Sequence, residues 1–320
     1  MDDAKTIGMI TFFTTAKPFL GHNGIIQRNA LKSWMLLDRD VDIILFGDDG
    51  GAAEIAQELG LRHEPLVERN EFGTIRVDYM FAQAQVLARH DVVCYSNCDI
   101  IFLPDFAEAI QRIKSVHPKF LATGRRWNMD IGGPIDFSTV NWQDELKRKT
   151  VRAKGQQSRW FIDYFAFTRE FFRNDIPPLA VGRIYWDNWL LWKACASGAP
   201  VVDVSRAVVA VHQNHDYKHH PQGRQGVYGG EEAERNLRLA GGWDHLRTIS
   251  EVELAMGRKG LRSNRKRYWH SMKRATRPST QFLLYRIWNP VWFAALKVTR
   301  PLRTMLGLRT EVVRRSRDYE

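Results

Sequence analysis

The stretch 92-VVCYSNCDIIFLP-104 decides how the rest of the chain is read. Residues 92–96 form a short apolar and aromatic run of the kind that makes a buried strand, and the run breaks at Asn97, Cys98 and Asp99 before apolar residues resume. Pro104 then stands at the first-turn position of a helix over 104–114. An amide and a carboxylate at the end of a buried strand need a chemical reason.

Outward from this stretch, similar runs predict strands over 6–13, 41–47, 119–124, 163–168 and 201–212. Helical periodicity predicts helices over 25–37, 51–59, 78–89 and 187–197. Strands separated by helices of this length argue for an α/β fold with a mostly parallel sheet flanked by helices, and such sheets bind ligands at the carboxyl ends of their strands.

Polar residues collect at those ends. Thr14-Thr15-Ala16-Lys17 follows the first strand, 47-GDDG-50 the second, and Asn97-Cys98-Asp99 the third. No GxxxxGK or GxGxxG loop is present to cradle phosphates with backbone N–H groups. A divalent cation, Mn2+ or Mg2+, held by carboxylates is the common alternative for meeting diphosphate charge. Asn97 and Asp99, two apart at a strand end, would point the same way and present oxygens to a metal. The competing reading is an Asx-turn that caps the next helix.

The net charge of +11 is uneven: residues 257–320 carry 17 Lys and Arg against 3 Asp and Glu, which is +14 and leaves −3 for the rest. The step divides a near-neutral globular domain over 1–256 from a basic extension over 257–320. Within that extension, 282-FLLYRIWNPVWFAALKV-298 has ten uncharged residues between Arg286 and Lys297, with Pro290 among them. That is too short to span a hydrocarbon core of roughly 30 Å. Trp288, Trp292, Phe293 and Leu296 can share one side of an amphipathic helix whose flanking cations reach an anionic membrane surface. The continuous aromatic block argues against a nucleic-acid partner, whose sites interleave bases with aromatics. Three cysteines, Cys94, Cys98 and Cys195, offer no disulfide framework, and the acidic start MDD does not resemble a signal peptide. The expectation is a cytoplasmic chain, peripheral at the inner face of the cell membrane.

Over about residues 7–217 the chain resembles the nucleotide-diphospho-sugar transferase superfamily, the GT-A glycosyltransferases with their Rossmann-like sheet, and in particular a group of nucleotide-sugar transferases of bacteria and plants. Three features carry the resemblance: 46-FGDDG-50 looks like the turn that reads the nucleobase, 95-YSNCDII-101 like a variant of the Asp-x-Asp motif, and 186-WDNW-189 like the late acidic motif that supplies a base. The resemblance implies Asp48 or Asp49 on a uracil N–H and Thr14 on base or ribose. Asn97 stands where the first Asp of the motif usually stands, which shifts direct metal ligation to Asp99 and leaves Asn97 to a ribose or a metal-bound water. His212 would complete the metal site. Lys17, Arg76, Arg125 and Arg126 are candidates for phosphate or sugar contacts, as guanidinium groups match phosphate oxygens. Asp187 between Trp186 and Trp189 is the candidate general base, with the tryptophans able to stack on a sugar, and Asp163 is its rival. Asp187 as a mere helix cap is the alternative.

The cluster 211-VHQNHDYKHH-220 also admits a separate zinc site from His212, His215, His219 and His220, although no cysteine lies near and the spacing fits no structural-zinc template. The Gly-rich 224–232 segment suits a lid. The function expected is metal-dependent transfer of a sugar from a nucleotide diphosphate donor, a UDP-sugar, to a hydroxyl of a glycan or lipid-linked acceptor in surface polysaccharide synthesis. A sugar-nucleotide nucleotidyltransferase of the same fold and a non-catalytic peripheral membrane adaptor are the alternatives.

Overall fold

The structure, a computed structural model, describes residues 10–172, 175–216, 227–257, 260–264 and 267. The basic extension beyond Arg267, His219, His220 and part of the Gly-rich segment lie outside the described residues. Among the described residues no helix is long and apolar enough to cross a membrane.

In chain order the elements are β1 (Ile10–Thr15), α1 (Gly21–Met35), β2 (Asp42–Phe46), α2 (Ala52–Leu59), β3 (Arg62–Glu64), α3 (Val77–Leu87), β4 (Val92–Ser96), β5 (Ile100–Ile101) and α4 (Pro104–Lys114). They continue with β6 (Leu121–Thr123), β7 (Arg126–Met129), α5 (Trp142–Arg152), β8 (Tyr164–Thr168), α6 (Trp186–Ala196), β9 (Val201–Asp203), β10 (Ala210–Gln213), α7 (Glu231–Leu239), β11 (Leu254–Gly257) and β12 (Gly260–Ser263).

Nine strands form one sheet in the order β12-β11-β9-β6-β8-β4-β1-β2-β3. It is mostly parallel, with antiparallel pairing where β8 lies between β4 and β6 and where β12 closes the edge against β11. This is the α/β architecture the sequence led us to expect. The sheet runs on past residue 256 to Ser263, across the charge step. Its central strands read as unbroken apolar runs because both faces are covered. Phe13, Tyr95, Phe165 and Phe167 pack on one face; Phe12, Cys94, Tyr164 and Ala166, their neighbours in sequence, pack on the other.

Two departures from the expected elements shape the site. The 201–212 run is not one strand. Asp203 accepts a hydrogen bond from the Ser205 N–H at 2.8 Å, which starts a turn. That turn sends β9 into the large sheet and β10 into a second, three-stranded sheet, β5-β10-β7. Helix α5 was not foreseen, because its sequence WQDELKRKTVR buries only Trp142 and Thr150 and carries no apolar stripe.

Candidate active site

The site is built where β4 ends. Ile100 N–H donates to the Asn97 carbonyl at 3.2 Å, so Asn97 to Ile100 form a turn and not a strand continuation. The alternation expected of Asn97 and Asp99 therefore fails, and their side chains part. Asn97 Oδ1 accepts from the Tyr95 hydroxyl at 2.8 Å, and Asn97 Nδ2 donates to Asp163 Oδ1 at 2.8 Å. Both ends of the amide are engaged inside the protein.

Asp99 turns instead to two imidazoles. β5 pairs antiparallel with β10, setting His212 opposite Ile100, and the chain turns after Gln213 to return His215 to the same place. Asp99 Oδ2 lies 3.7 Å from His212 Nε2 and 3.1 Å from His215 Nε2. Lys17 Nζ lies 3.3 Å from that same His215 nitrogen. Burial works to raise the Asp99 carboxyl, yet the neighbouring His212, His215 and Lys17 hold it well below the usual carboxylate range. Burial, with the Arg126 guanidinium, drives the His212 imidazole down to about 3, which leaves it neutral near pH 7. Burial also lowers Lys17.

A divalent cation fits this group. Asp99, His212 and His215 offer ligand atoms that lie within 4.8 Å of one another. Asp99 Oδ1 and His212 Nδ1 are buried with no hydrogen-bond partner. An ionised Asp99 carboxylate and a neutral His212 imidazole are ligands in their binding-competent forms.

The backbone of the turn is braced from below. Gln213 is fully buried and donates to the Asp99 carbonyl from its backbone N–H at 3.1 Å and from Nε2 at 3.2 Å. The same Nε2 donates to the Ile26 carbonyl at 2.7 Å, and Asn29 Nδ2 donates to Gln213 Oε1 at 3.0 Å. Neither Asn29 nor Gln213 stands out in the sequence. Nothing in a single buried amide announces a long-range partner.

Asp163, at the start of β8, is buried and accepts from Arg126 Nη1 at 2.7 Å as well as from Asn97. Burial raises its carboxyl in spite of Arg126. With one oxygen doubly engaged, Asp163 anchors the cation and the amide beside Asp99. Arg126, over the Phe161 ring at 4.8 Å, keeps a buried Nε–H without a partner.

Asp187 stands in the first turn of α6, within electrostatic reach of Asp163 and Tyr95. It is not the helix cap; that position belongs to Tyr185, a non-glycine residue at φ +83°. Burial pushes the Asp187 carboxyl up to about 7, against backbone N–H groups of Asn188 and Ile162 that favour its charged form. Trp186 and Trp189 are core residues, 4% and 5% exposed. Trp186 packs edge-on against Tyr95 at 5.0 Å, so the expected stacking on a sugar is corrected: the ring face is already covered.

The 47-GDDG-50 turn sits at the end of β2, beside β1. Gly47 adopts φ +102°, and a Cβ there would lie 3.1 Å from both Asp49 Oδ2 and Ile75 Cδ1, so glycine is required. His63 Nε2 donates to the Gly47 carbonyl at 2.8 Å. Asp48 is exposed and paired with Arg69, which lowers its carboxyl; Asp49 is half-buried and raised by that burial. Three expected ligand contacts fall elsewhere. Thr14 is fully buried, its hydroxyl donating to the Thr15 carbonyl at 3.1 Å. Arg76 is held between Glu68 and Asp78. Arg125 Nε donates to the Gln157 carbonyl.

No protein-family model matches the chain, and no curated protein matches it. Among solved structures, S. aureus TarS 1–349 in complex with UDP-GlcNAc is similar at 11% identity and a TM-score of 0.46, over 66% of this chain and 60% of that one. Glucosyl-3-phosphoglycerate synthase from Mycobacterium tuberculosis in complex with Mg2+ and UDP is similar at 13% identity and 0.38, over 65% of this chain and 72% of that one. Mannosyltransferase PcManGT from Pyrobaculum calidifontis in complex with GDP-Man and Mn2+ gives 12% and 0.38, over 63% and 56%. The chain thus spans about 60% of the length of the TarS structure.

Proposed function

We propose that the protein is a metal-dependent glycosyltransferase that moves a sugar from a nucleotide diphosphate, a UDP-sugar, to a hydroxyl of a glycan or lipid-linked acceptor in surface polysaccharide synthesis. The observation that carries this reading is that the Asp99–His212–His215 cluster and a half-buried carboxylate, Asp187, whose pKa is raised to about 7, both lie within electrostatic reach of Tyr95. A cation held by Asp99, His212 and His215, Mn2+ or Mg2+, would supply charge neutralisation at the departing diphosphate.

The remaining work falls to the chain's own groups. Asp48 and Asp49 in the turn after β2 suit a nucleobase N–H, with Arg69 and His63 holding that turn in place. Lys17 and Arg126, both within electrostatic reach of Asp99, bring positive charge to the diphosphate side, and Arg126 has an unused Nε–H to donate to it. Asp187 in its ionised form takes the proton of the acceptor hydroxyl as the sugar's bond to the diphosphate oxygen breaks. A raised pKa makes it a competent base near neutrality. Asp163 and Asn97 touch no reacting atom in this scheme and hold Arg126 and Tyr95 in position.

The membrane association and cytoplasmic location rest on the basic extension alone, through its alternation of cations with an aromatic block. Release of UDP from a panel of UDP-sugars tests the chemistry. The Asp187→Asn variant should bind UDP as the wild type does and lose about 10²–10⁴-fold in turnover. Unchanged turnover would remove Asp187 from the base role.

A further inference from the structure

Helix α7 buries an unexpected stripe. A helix lying on a core turns apolar side chains inward, but the buried residues of α7 are Glu232, Ala233 and Asn236. A buried, paired charge gains little stability over well-packed apolar side chains, so the reason for Glu232 and Asn236 lies in what they hold.

Asn236, fully buried, clamps a loop distant in sequence. Its Oδ1 accepts from the Ala180 N–H at 2.8 Å, and its Nδ2 donates to the Ala180 carbonyl at 3.0 Å and to the Ile184 carbonyl at 3.2 Å. One turn earlier in the helix, Glu232 meets the same loop: Arg183 Nε donates to it at 2.7 Å, both side chains being buried or nearly so. This loop leads straight into Tyr185, whose φ of +83° is a conformation that a residue with a Cβ holds only where its surroundings impose it, and Asp187 follows in the first turn of α6.

The same carboxylate reaches a second turn. Asn70 Nδ2 donates to Glu232 at 2.9 Å, while Asn70 Oδ1 accepts from the N–H groups of Phe72 and Thr74 and so closes the 70–74 turn. Arg69, at the base of that turn, is the partner of Asp48 in 47-GDDG-50. Glu232 is a shared acceptor for the loop that ends at Asp187 and for the turn whose base holds Asp48.

We propose that Glu232 and Asn236 are positioning residues: through Arg183 and the carbonyls of Ala180 and Ile184 they fix the backbone that sets the Asp187 carboxyl, and through Asn70 Glu232 ties that backbone to the support of the acidic turn. The inference rests on the reading of Asp187 as the base. Asp187 itself faces Asp163, Tyr95 and the backbone N–H groups of Asn188 and Ile162, and substitution of Glu232 or Asn236 changes none of these groups.

The test is a carbon-13 NMR titration of the Asp187 carboxyl in the full chain, its resonance assigned by its loss in Asp187→Asn, beside steady-state release of UDP from UDP-sugars. Loosening the loop admits water to a carboxyl that burial holds at about 7, so Glu232→Gln and Asn236→Ala should each lower its proton affinity about tenfold. Asn236→Ala, which releases the Asp187 loop, should lower kcat about tenfold with KM for the sugar nucleotide unchanged; Glu232→Gln, which releases both turns, should lower kcat and raise KM. Circular dichroism checks folding, and Glu232→Gln, which keeps the side chain's size, carries the test if Asn236→Ala does not fold. An Asp187 titration unchanged in Glu232→Gln, or kcat equal to that of the wild type in the folded variants, would overturn the proposal. Shifted Asp187 titrations in a chain whose wild type releases no UDP from any UDP-sugar would leave the positioning role standing and count against the transfer reading.

Discussion

Asp187 and Asn97 show how far one side chain can be read from its neighbours. The base role proposed for Asp187 needs the carboxylate, while its burial favours the acid. Between its ordinary value of 3.8 and about 7 the folded chain retains a proton that the unfolded chain releases, so folding stability falls as pH rises through that window. Turnover should move the opposite way, rising with pH to a plateau above about 7. Asp187→Asn removes the conflict and should raise the melting temperature by a few degrees at pH 8 while turnover falls about 10²–10⁴-fold; a melting temperature unchanged at that pH would show that the carboxyl is not strained by burial. Asn97 makes the converse point. Restoring an acid by Asn97→Asp would remove the Nδ2 donor to Asp163 and set two carboxylates together. The variant should lose about 1–3 kcal/mol in denaturant unfolding and gain no Mn2+ affinity. Tighter Mn2+ binding would mean that a side chain at position 97 reaches the metal site after all.

At the scale of elements, β10 does most to assemble the site. It carries His212, braces the Asp99 turn through Gln213, and leads directly to His215. Gln213→Leu would remove one of the partners of Asn29 and the side-chain donors to the Ile26 and Asp99 carbonyls. We expect a loss of about 1–3 kcal/mol in stability and several-fold weaker Mn2+ binding, measured by unfolding and by calorimetry; full metal affinity would show that the turn holds its shape unaided. Strands β1, β2, β4, β6 and β8 were legible in the sequence because each is a compact apolar run ended by polar residues. β10 was hidden inside a longer apolar run whose division depends on the Asp203 turn. Strands β3, β5 and β7 are two to four residues long and form only because a neighbouring strand accepts them. Asp99, His212, Asp163 and Asp187 could be named from local pattern, yet the engagement of Thr14, Arg76 and Arg125 within the protein could not, since each pairing joins residues that only the fold brings together.

For the whole molecule, the sheet places the 47-GDDG-50 turn and the Asp99 turn at the ends of β2 and β4, with β1 between them. A nucleotide diphosphate lying across the end of β1 would meet an acidic turn at its base and a metal cluster at its phosphates. In the proposed function the two turns would be parts of one donor site. Isothermal titration of the protein with UDP and GDP, with and without Mn2+, beside the Asp99→Ala variant, tests it most directly. The account predicts binding of UDP that requires Mn2+ and is lost in Asp99→Ala. UDP binding that is indifferent to both Mn2+ and the substitution, or no binding of either nucleotide under any condition, would contradict it.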